Sequence, residues 1–286
     1  MSKIKIAELF YSIQGEGRHM GVPSVFMRTF GCNFKCAGFG MPRGHLSTEA
    51  DEIAQVAHNY DKYEQLPLVA TGCDSYASWH PDFKNLSPML TVDAIVDRIL
   101  DLLPYKQWLD EHLVITGGEP LLGWQRSYVD LLSHPKMEQL RELTFETNGT
   151  QALSEDFTKY LDEQWYGGND SIPGREITFS VSPKLSNSGE ARADAIRPEI
   201  VAEYQKWGWT YLKFVIANYD DAEEAIQIAN YYREAGYDGP VYFMPVGGVE
   251  SVYNLNNRTV AELAMSKGVR YSDRLQVPLF KNAWST

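Results

Sequence analysis

The only three cysteines of the 286-residue chain are its first candidates for metal chemistry. Cys32 and Cys36 lie in the stretch GCNFKCAGFG, with the spacing C-x3-C. A trio with the spacing C-x3-C-x2-C would need its third cysteine at position 39, where the sequence has Phe39. Cysteine sulfurs are the usual ligands of iron–sulfur clusters, so the question is whether this chain has a complete ligand set.

The third cysteine, Cys73, lies 37 positions after Cys36. The segment 37–72 between them is rich in Gly and Pro at its start and contains one short helix-like stretch at about 47–58, so we interpret it as an insertion. If the insertion is set aside, Cys32, Cys36 and Cys73 form a complete trio. Three thiolates on a four-iron cube leave one iron open to a small molecule.

Spacing alone leaves two other interpretations of the cysteines open. Free cysteines are among the most buried residues, so Cys32 and Cys36 can be ordinary core side chains. A zinc site is the second alternative, but structural zinc takes four ligands. The six histidines show no paired spacing that would complete such a site.

Composition narrows the class of partner. The net charge of −12 and the pI of about 5.0 disfavour tight binding to a phosphate backbone and favour a small-molecule substrate or an oppositely charged protein. No apolar run has the length of about 18 residues that a membrane span needs, and the first residues lack the features of a secretory signal. The few cysteines suit a reducing compartment, so we expect a cytoplasmic protein without direct nucleic-acid or membrane contacts.

Strand-like and helix-like segments alternate from about residue 90 onward. Strands are predicted over 112–118, 143–149, 177–183, 211–217 and 241–248, and helices over 90–103, 126–134, 154–163, 197–208, 220–236 and 258–268. Thr91 is the candidate N-cap of the first of these helices. This alternation predicts a parallel sheet with right-handed crossovers. A complete eight-unit barrel needs about 250 residues, so we expect an α/β fold with a partial, open, TIM-like barrel of about six βα units. The whole chain, 1–286, is predicted to be one domain with the insertion at about 37–72.

Polar motifs follow three of the predicted strands. TGGEP lies at 116–120, ETNGT at 146–150 and SPK at 182–184. In parallel sheets, ligands bind at the carboxyl ends of the strands, which is where these motifs fall. Each motif alone is also compatible with an ordinary strand-to-helix turn, because Gly, Pro and Asn-Gly are frequent there.

Six motifs in order resemble those of the 7-carboxy-7-deazaguanine synthases, radical S-adenosylmethionine enzymes also called QueE. In that family a Q-G-E-G loop precedes a strand with an arginine, then G-C-N and the first cluster cysteines, and the third cysteine opens C-D-T-x-Y-A. Here the corresponding stretches are FYSIQGEGRHMGVPSVFMRTFGCNFKC at 10–36 and CDSYA at 73–77, followed by the three strand-end motifs. The resemblance covers nearly the whole chain. It departs at the insertion, at Ser75 in place of threonine, and in a loosely similar final segment, RLQVPLFKNAWST.

The resemblance implies a role for each motif residue. Cys32, Cys36 and Cys73 would hold a [4Fe–4S] cluster, and Ser75 would give an oxygen to Mg²⁺. The substrate would be held by Gln14, Glu16 and Arg28. S-adenosylmethionine would be bound by the strand-end residues, with the carboxylate of Glu119 accepting from its amine; these are Gly117, Gly118, Glu119, Glu146, Asn148, Ser182 and Lys184.

The sequence alone also allows purely structural roles for these residues. Arg28 can be a strand residue that faces solvent, QGEG can be a simple turn, and Ser75 and Asn148 can be turn residues. A carboxylate and backbone carbonyls can read the edge of a pterin, and arginine pairs bidentately with a carboxylate, so the chemistry also fits the family's substrate.

The resemblance further implies the reaction. One electron from the reduced cluster cleaves S-adenosylmethionine, and the resulting 5′-deoxyadenosyl radical takes hydrogen from C6 of 6-carboxy-5,6,7,8-tetrahydropterin. The ring then contracts, ammonia leaves, and 7-carboxy-7-deazaguanine is formed for queuosine-type biosynthesis. A flavodoxin- or ferredoxin-type electron donor and a homodimer are the partners it implies.

Two rival functions remain. Another radical S-adenosylmethionine enzyme, such as a glycyl-radical activase, shares the cluster and GGEP motifs but acts on a protein. A non-catalytic metal-binding or interaction protein that has lost its cluster is the rival outside enzymes. That rival predicts that Cys73 does not reach the region of Cys32 and Cys36.

Overall fold

The computed structural model describes residues 2–167 and 174–286. Its strands are β1 (Lys3–Ile13), β2 (Pro23–Thr29), β3 (Met89–Thr91), β4 (His112–Gly117), β5 (Glu142–Thr147), β6 (Glu176–Val181), β7 (Trp209–Ile216), β8 (Val241–Pro245) and β9 (Arg270–Tyr271). Its α-helices are α1 (Glu49–Gln55), α2 (Val92–Leu102), α3 (Gln125–Leu132), α4 (Glu155–Tyr160), α5 (Arg192–Ala195), α6 (Pro198–Tyr204), α7 (Tyr219–Glu234), α8 (Glu250–Lys267) and α9 (Gln276–Phe280).

All described strands form one open sheet in the order β3-β1-β2-β4-β5-β6-β7-β8-β9. From β2 through β4 to β9, each strand is parallel to its neighbour, which confirms the partial barrel of about six βα units. The antiparallel pairs β1–β2 and β1–β3 form one edge. The βα alternation of the sequence did not predict this edge, because antiparallel strands lie outside that pattern.

The helix and strand predictions after residue 90 are confirmed, with shifted ends. Thr91 caps α2 as predicted, since its hydroxyl accepts from the amide of Ala94 at 3.3 Å. Helix α8 begins at Glu250 rather than at residue 258. Its first turns lack an apolar period, and the burial of Tyr253 on the sheet side stabilises them instead.

The core lies between the sheet and the helices that follow its strands. Phe145 and Phe179, on neighbouring strands, stack with ring centroids 5.8 Å apart, and Phe179 stacks on Tyr204 of α6 at 4.6 Å. Strands that are buried on both faces read as continuous apolar runs, which is why β4 to β8 were easy to recognise. Their carboxyl ends, in contrast, carry the polar motifs.

The predicted insertion folds against the body of the protein. Its helix α1 is shorter than the predicted stretch 47–58 and is followed by a 3-10 turn at Ala57–Asn59. Tyr63, Leu66 and Val69 pack into a second apolar cluster with residues from outside the insertion, among them Tyr76 and Phe83. The division into one domain with an insertion stays a prediction, and Met1 and residues 168–173 lie outside the described residues.

Among the described residues, no helix is both long enough and apolar enough to cross a membrane.

We expect Thr91→Ala to lower the free energy of unfolding by about 1 kcal/mol, because the first turn of α2 loses its side-chain cap. Urea denaturation measures the change. Thr259→Ala is the matched control, since Thr259 is an exposed residue inside α8 and alanine favours helices. Equal destabilisation of both variants would contradict the capping role.

Candidate functional site

One cavity of about 260 Å³ opens at the carboxyl ends of the parallel strands. It collects thirteen of the fourteen residues to which the motifs assign a binding role, from loops far apart in the sequence. These are Gln14, Glu16, Arg28, Cys32, Cys36, Cys73, Ser75, Gly117, Gly118, Glu146, Asn148, Ser182 and Lys184. The exception, Glu119, lies behind the wall of the cavity.

The three cysteines share this cavity despite the insertion between them. Burial raises the pKa of Cys32 to about 12, although the amide of Phe34 donates to its Sγ at 3.4 Å. Burial likewise raises the pKa of Cys36 and of Cys73. Free thiols at these positions are therefore protonated at neutral pH, and a bound cation is what would favour the thiolates.

In residues 2–167 and 174–286, no three His, Cys, Asp or Glu side chains are close enough to hold a single metal ion. The sulfurs that hold a cube of four irons lie farther apart than the ligands of one ion, so this finding concerns a single-ion site and not a cluster. The placement of Cys73 in the same cavity as Cys32 and Cys36 removes the main prediction of the rival binding protein. The three thiols therefore fit the cluster implied by the sequence.

The glycines of TGGEP allow two segments of backbone to meet beside Cys32. A Cβ atom on Gly118 would lie 2.3 Å from the carbonyl oxygen of Gly31 and 2.7 Å from the Cβ of Cys32. Gly117 has a φ of +144° and faces the backbone of Thr29 just as closely. The motif thus fixes the approach of β4 to the cysteine loop, and no side chain fits there.

Glu119 is fully buried and braces the neighbouring strand end. Its carboxylate accepts from the hydroxyl of Thr147 and from the amide of Asn148, each at 2.7 Å. Burial raises its pKa, and these hydrogen bonds oppose the change. In this geometry its carboxylate supports the ETNGT turn, whereas the predicted contact with an amine requires access to the cavity.

Asn148 links the strand-end turn to the cysteine loop. Its side-chain nitrogen Nδ2 donates to Oδ1 of Asn33 at 2.9 Å, while its Oδ1 accepts from the hydroxyl of Thr150 at 2.6 Å. The Asn148 side chain therefore connects Asn33 of the cysteine loop to Thr150 of the turn. It also lines the cavity.

Ser182 and Lys184 lie together at the end of β6. The ammonium of Lys184 donates to the hydroxyl of Ser182 at 3.1 Å and lies 5.9 Å from the ring centroid of Phe39. Phe39, the residue in the place of the expected third cysteine, is thus an aromatic wall of the cavity. A cation and an aromatic ring here suit an anionic or aromatic ligand.

A charge network organises the opposite wall. Glu16 accepts from Lys213 of β7, from Nε of Arg274 at 3.2 Å and from the amide of Gln276 at 2.8 Å. Burial raises the pKa of Glu16, but the charges of Lys213 and Arg274 lower it by more, so that the pKa is about 2. The carboxylate is therefore ionised, and three of its lone pairs are already used.

Glu146 stands next to this network with more free capacity. The amide of Gln14 donates to its Oε1 at 3.1 Å, and the hydroxyl of Thr116 donates to its Oε2 at 3.1 Å. Each of its oxygens keeps a lone pair toward the cavity. Glu146 is thus better placed than Glu16 to accept from a ligand's N–H groups.

Arg28 is held by a buried carboxylate. Its Nε donates to Glu8 at 2.8 Å, and its Nη1 donates to the hydroxyl of Ser75 at 3.0 Å. Within the part of the chain that the structure describes, Nη2 makes no hydrogen bond. The guanidinium therefore lines the cavity, and its Nη2 can still donate a hydrogen bond. Arg28 is thus not the solvent-facing strand residue of the alternative interpretation.

Sequence reasoning missed several residues of the cavity. They are Glu8, Asp74, Lys213, Arg274 and Gln276. One signal was available: Lys213 interrupts the apolar strand YLKFVIA, and a buried lysine needs an anionic partner. Arg274 and Gln276 come from the loosely matching final segment and carry no such signal, and neither does Glu8 of β1. Asp74 lies inside the motif CDSYA, next to Cys73.

One buried polar atom that lines the cavity, Oε1 of Gln276, has no hydrogen-bond partner among the described residues. Buried polar groups are nearly always paired, so this atom indicates where a polar ligand or water binds.

Comparisons with known proteins bear on the family of this chain. The 7-carboxy-7-deazaguanine synthase of Halobacterium salinarum is 31% identical, and the alignment covers 99% of this chain and 93% of that protein. The chain belongs to the 7-carboxy-7-deazaguanine synthase family. The member from Pyrobaculum aerophilum is 26% identical, with 98% of this chain and 96% of that protein covered.

A comparison with solved structures supports the fold. The crystal structure of QueE from Escherichia coli matches with a TM-score of 0.52 at 19% identity, covering 94% of this chain and 93% of that one. At this identity the match supports the fold, the open partial barrel, rather than individual residues. No protein-family model matches the chain. Membership of the 7-carboxy-7-deazaguanine synthase family makes this chain an enzyme, which excludes the non-catalytic rival.

We expect Gly118→Ala to impair cluster assembly, because the added methyl would collide with the backbone of Gly31 and with Cys32. After anaerobic reconstitution, iron and sulfide bound per chain should fall severalfold. Gly123→Ala is the control: its φ of +83° costs about 1 kcal/mol, but nothing lies within 4 Å of the new methyl. Full iron loading of Gly118→Ala would refute the close-approach role.

We expect the stability contributed by Glu16 to depend on pH. Its pKa is lowered from 4.5 to about 2, so the ionised form stabilises the fold above pH 4.5, and this contribution is lost as the pH falls toward 2. The shift corresponds to about 3 kcal/mol. In urea denaturation, Glu16→Gln should be less stable than the unsubstituted chain at pH 7 by about this amount, and the gap should narrow below pH 4.5.

The control for this measurement is Glu64→Gln, since Glu64 is exposed on the insertion. That variant should match the unsubstituted chain throughout. A gap for Glu16→Gln that stays constant from pH 7 to pH 3 would show that its ionisation is not what stabilises the site.

Proposed function

We propose that this chain converts 6-carboxy-5,6,7,8-tetrahydropterin to 7-carboxy-7-deazaguanine and ammonia, as a radical S-adenosylmethionine enzyme. The single observation that supports this most is the convergence of the three cysteines and the strand-end motifs on one cavity. Near-full-length identity of 31% to a 7-carboxy-7-deazaguanine synthase supports the choice of reaction.

Cys32, Cys36 and Cys73 would hold a [4Fe–4S] cluster at one end of the cavity. The cluster and S-adenosylmethionine together supply, when bound, the radical chemistry that protein side chains lack. Gly117 and Gly118 would contact S-adenosylmethionine through their backbone, which close packing against Thr29 and Gly31 holds beside the cysteine loop. Lys184 and Ser182 would contact its carboxylate or ribose.

Arg28 and Glu146 would orient the pterin. The free Nη2 of Arg28 suits the substrate's carboxylate, since charge-assisted hydrogen bonds from arginine are strong and directional. Glu146 accepts from the donor edge of the ring with the lone pairs that Gln14 and Thr116 leave free. Glu16 would act more through its hold on Lys213 and Arg274 than through direct contact.

Ser75 would give one oxygen to Mg²⁺, which prefers oxygen ligands and often binds through substrate and water. Its hydroxyl accepts from Arg28 and lies 3.3 Å from Oδ1 of Asp74, so two groups next to it can adjust its orientation. An electron donor of the flavodoxin or ferredoxin type and a homodimer remain proposals that rest on the sequence resemblance.

The test is anaerobic reconstitution with iron and sulfide, followed by incubation with S-adenosylmethionine, a reductant, Mg²⁺ and the carboxytetrahydropterin. We expect 7-carboxy-7-deazaguanine by mass spectrometry, and a loss of at least a hundredfold in Cys73→Ala, because a three-thiolate site loses one ligand. The control is Glu64→Ala, in the exposed part of the insertion, which should retain full activity.

The outcomes separate the candidate functions. Formation of 5′-deoxyadenosine without the deazaguanine would keep the radical chemistry and transfer the proposal to another substrate, as in an activase. Failure to bind iron and sulfide would reject the radical mechanism. Full activity of Cys73→Ala would reject Cys73 as a ligand.

A further inference from the structure

The final segment of the chain, residues 274–286, here called the strap, crosses the wall of the cavity. The amide of Leu275 donates to the carbonyl of Gly15 at 3.1 Å, and the side-chain amide of Asn282 donates to the carbonyl of Gly248 at 2.8 Å. Gln276 and Trp284 through Thr286 line the cavity itself. These residues of the strap are therefore part of the site, although no motif in the strap predicted a role.

Trp284 anchors the strap in the insertion. Its indole Nε1 donates to the carbonyl of Leu66 at 3.0 Å, and its ring meets those of Tyr63 and Tyr76 edge-to-face, at 5.8 and 5.7 Å between centroids. Tyr63 is itself fixed, because its hydroxyl donates to the carbonyl of Ala77 at 2.7 Å. The second apolar cluster is thus a socket for one side chain of the strap.

The next residue of the strap, Ser285, forms hydrogen bonds with Glu8, the carboxylate that also binds Arg28. Its amide and its hydroxyl both donate to Oε1 of Glu8, at 2.9 and 3.1 Å. The other oxygen of Glu8 accepts from Nε of Arg28 at 2.8 Å. Glu8 is almost fully buried, so each of its oxygens has a defined and different partner.

The backbone of the strap is held in an unusual conformation. Among the described residues other than glycine, five have a positive φ, and three of them are Lys281, Asn282 and Ser285. Such conformations cost free energy and persist where surrounding contacts impose them. The socket around Trp284 supplies those contacts next to Ser285, whose φ is +64°.

We propose that Trp284 is a positioning residue for substrate recognition, and that the insertion serves as its socket. Seating of Trp284 places Ser285 on Glu8, and Glu8 in turn fixes the guanidinium of Arg28 toward the cavity. This inference rests on the proposed function, in which Arg28 binds the substrate's carboxylate. It gives the 37–72 insertion a role in selecting a carboxylated ring.

The effect of unseating Trp284 should be specific for the carboxylate. A mobile guanidinium loses the geometry of its charge-assisted hydrogen bonds but leaves the ring-binding wall around Glu146 unchanged. We therefore expect a loss of preference for a carboxylated pterin rather than a loss of pterin binding as such.

The test titrates the full chain with two fluorescent probes, 6-carboxypterin and pterin without the carboxylate. In the unsubstituted chain 6-carboxypterin should bind more tightly. Trp284→Ala should reduce that preference about tenfold, as expected for a charge-assisted hydrogen bond, with a change below about twofold for plain pterin. Trp284→Phe should retain part of the preference, because phenylalanine fills most of the socket.

Two further variants keep the test decisive. Ser285→Gly accepts the positive φ, leaves Trp284 in place and removes only the hydroxyl contact with Glu8, so it should reduce the preference severalfold even if Trp284→Ala fails to fold. Leu279→Ala, an exposed position of α9 in the same strap, is the matched control and should change neither affinity. Circular dichroism and thermal melting verify the fold.

Kinetics give a second readout. Trp284→Ala should raise the KM for the carboxytetrahydropterin about tenfold with little change in kcat, because the lost contact is made in the ground state and the transition state alike. A folded Trp284→Ala variant that keeps the full preference would overturn the inference, as would equal weakening of both probes. The inference also fails if the unsubstituted chain binds 6-carboxypterin no more tightly than pterin. Product formation by the unsubstituted chain is judged separately, so the proposed function can stand while this inference fails.

Discussion

The pairing of buried charges in the cavity is the constraint on which the rest of the site depends. Glu16, Lys213 and Arg274 come from the loop after β1, from β7 and from the strap, and each is buried beside a partner of opposite charge. The guanidinium of Arg274 also reaches Asp74, next to Ser75, at 2.6 Å. One network of charges therefore joins four segments around the same space.

The second constraint is close backbone approach. Gly118 lets the end of β4 touch the cysteine loop, and the fully buried Glu119 ties that strand end to the Thr147–Asn148 turn. Close backbone contacts and one buried carboxylate thus decide where the thiols and the strand-end donors lie. This explains why a motif such as TGGEP combines two glycines with a carboxylate that the structure buries.

The insertion between Cys36 and Cys73 is compatible with the site because its end returns to the cavity. Glu49 at the start of α1 accepts from the amides of Ala70 and Thr71, at 2.8 and 3.1 Å, which brings the end of the insertion back to the cavity. Sequence separation of the cysteines therefore imposes no separation in space. The apolar cluster that the insertion creates is used by Trp284 from the other end of the chain.

The sequence by itself determined the parallel sheet, the capped helix after Thr91, and the strand-end positions of the polar motifs, because periodicity and turn chemistry are local properties. It also determined the three cysteines as a candidate set. Only the tertiary structure decided that Glu119 braces the Thr147–Asn148 turn, that Glu8 and not solvent faces Arg28, and that Arg274, Gln276 and Trp284 belong to the site. Those contacts join residues up to 277 positions apart, as between Glu8 and Ser285, and no local pattern encodes such a pairing.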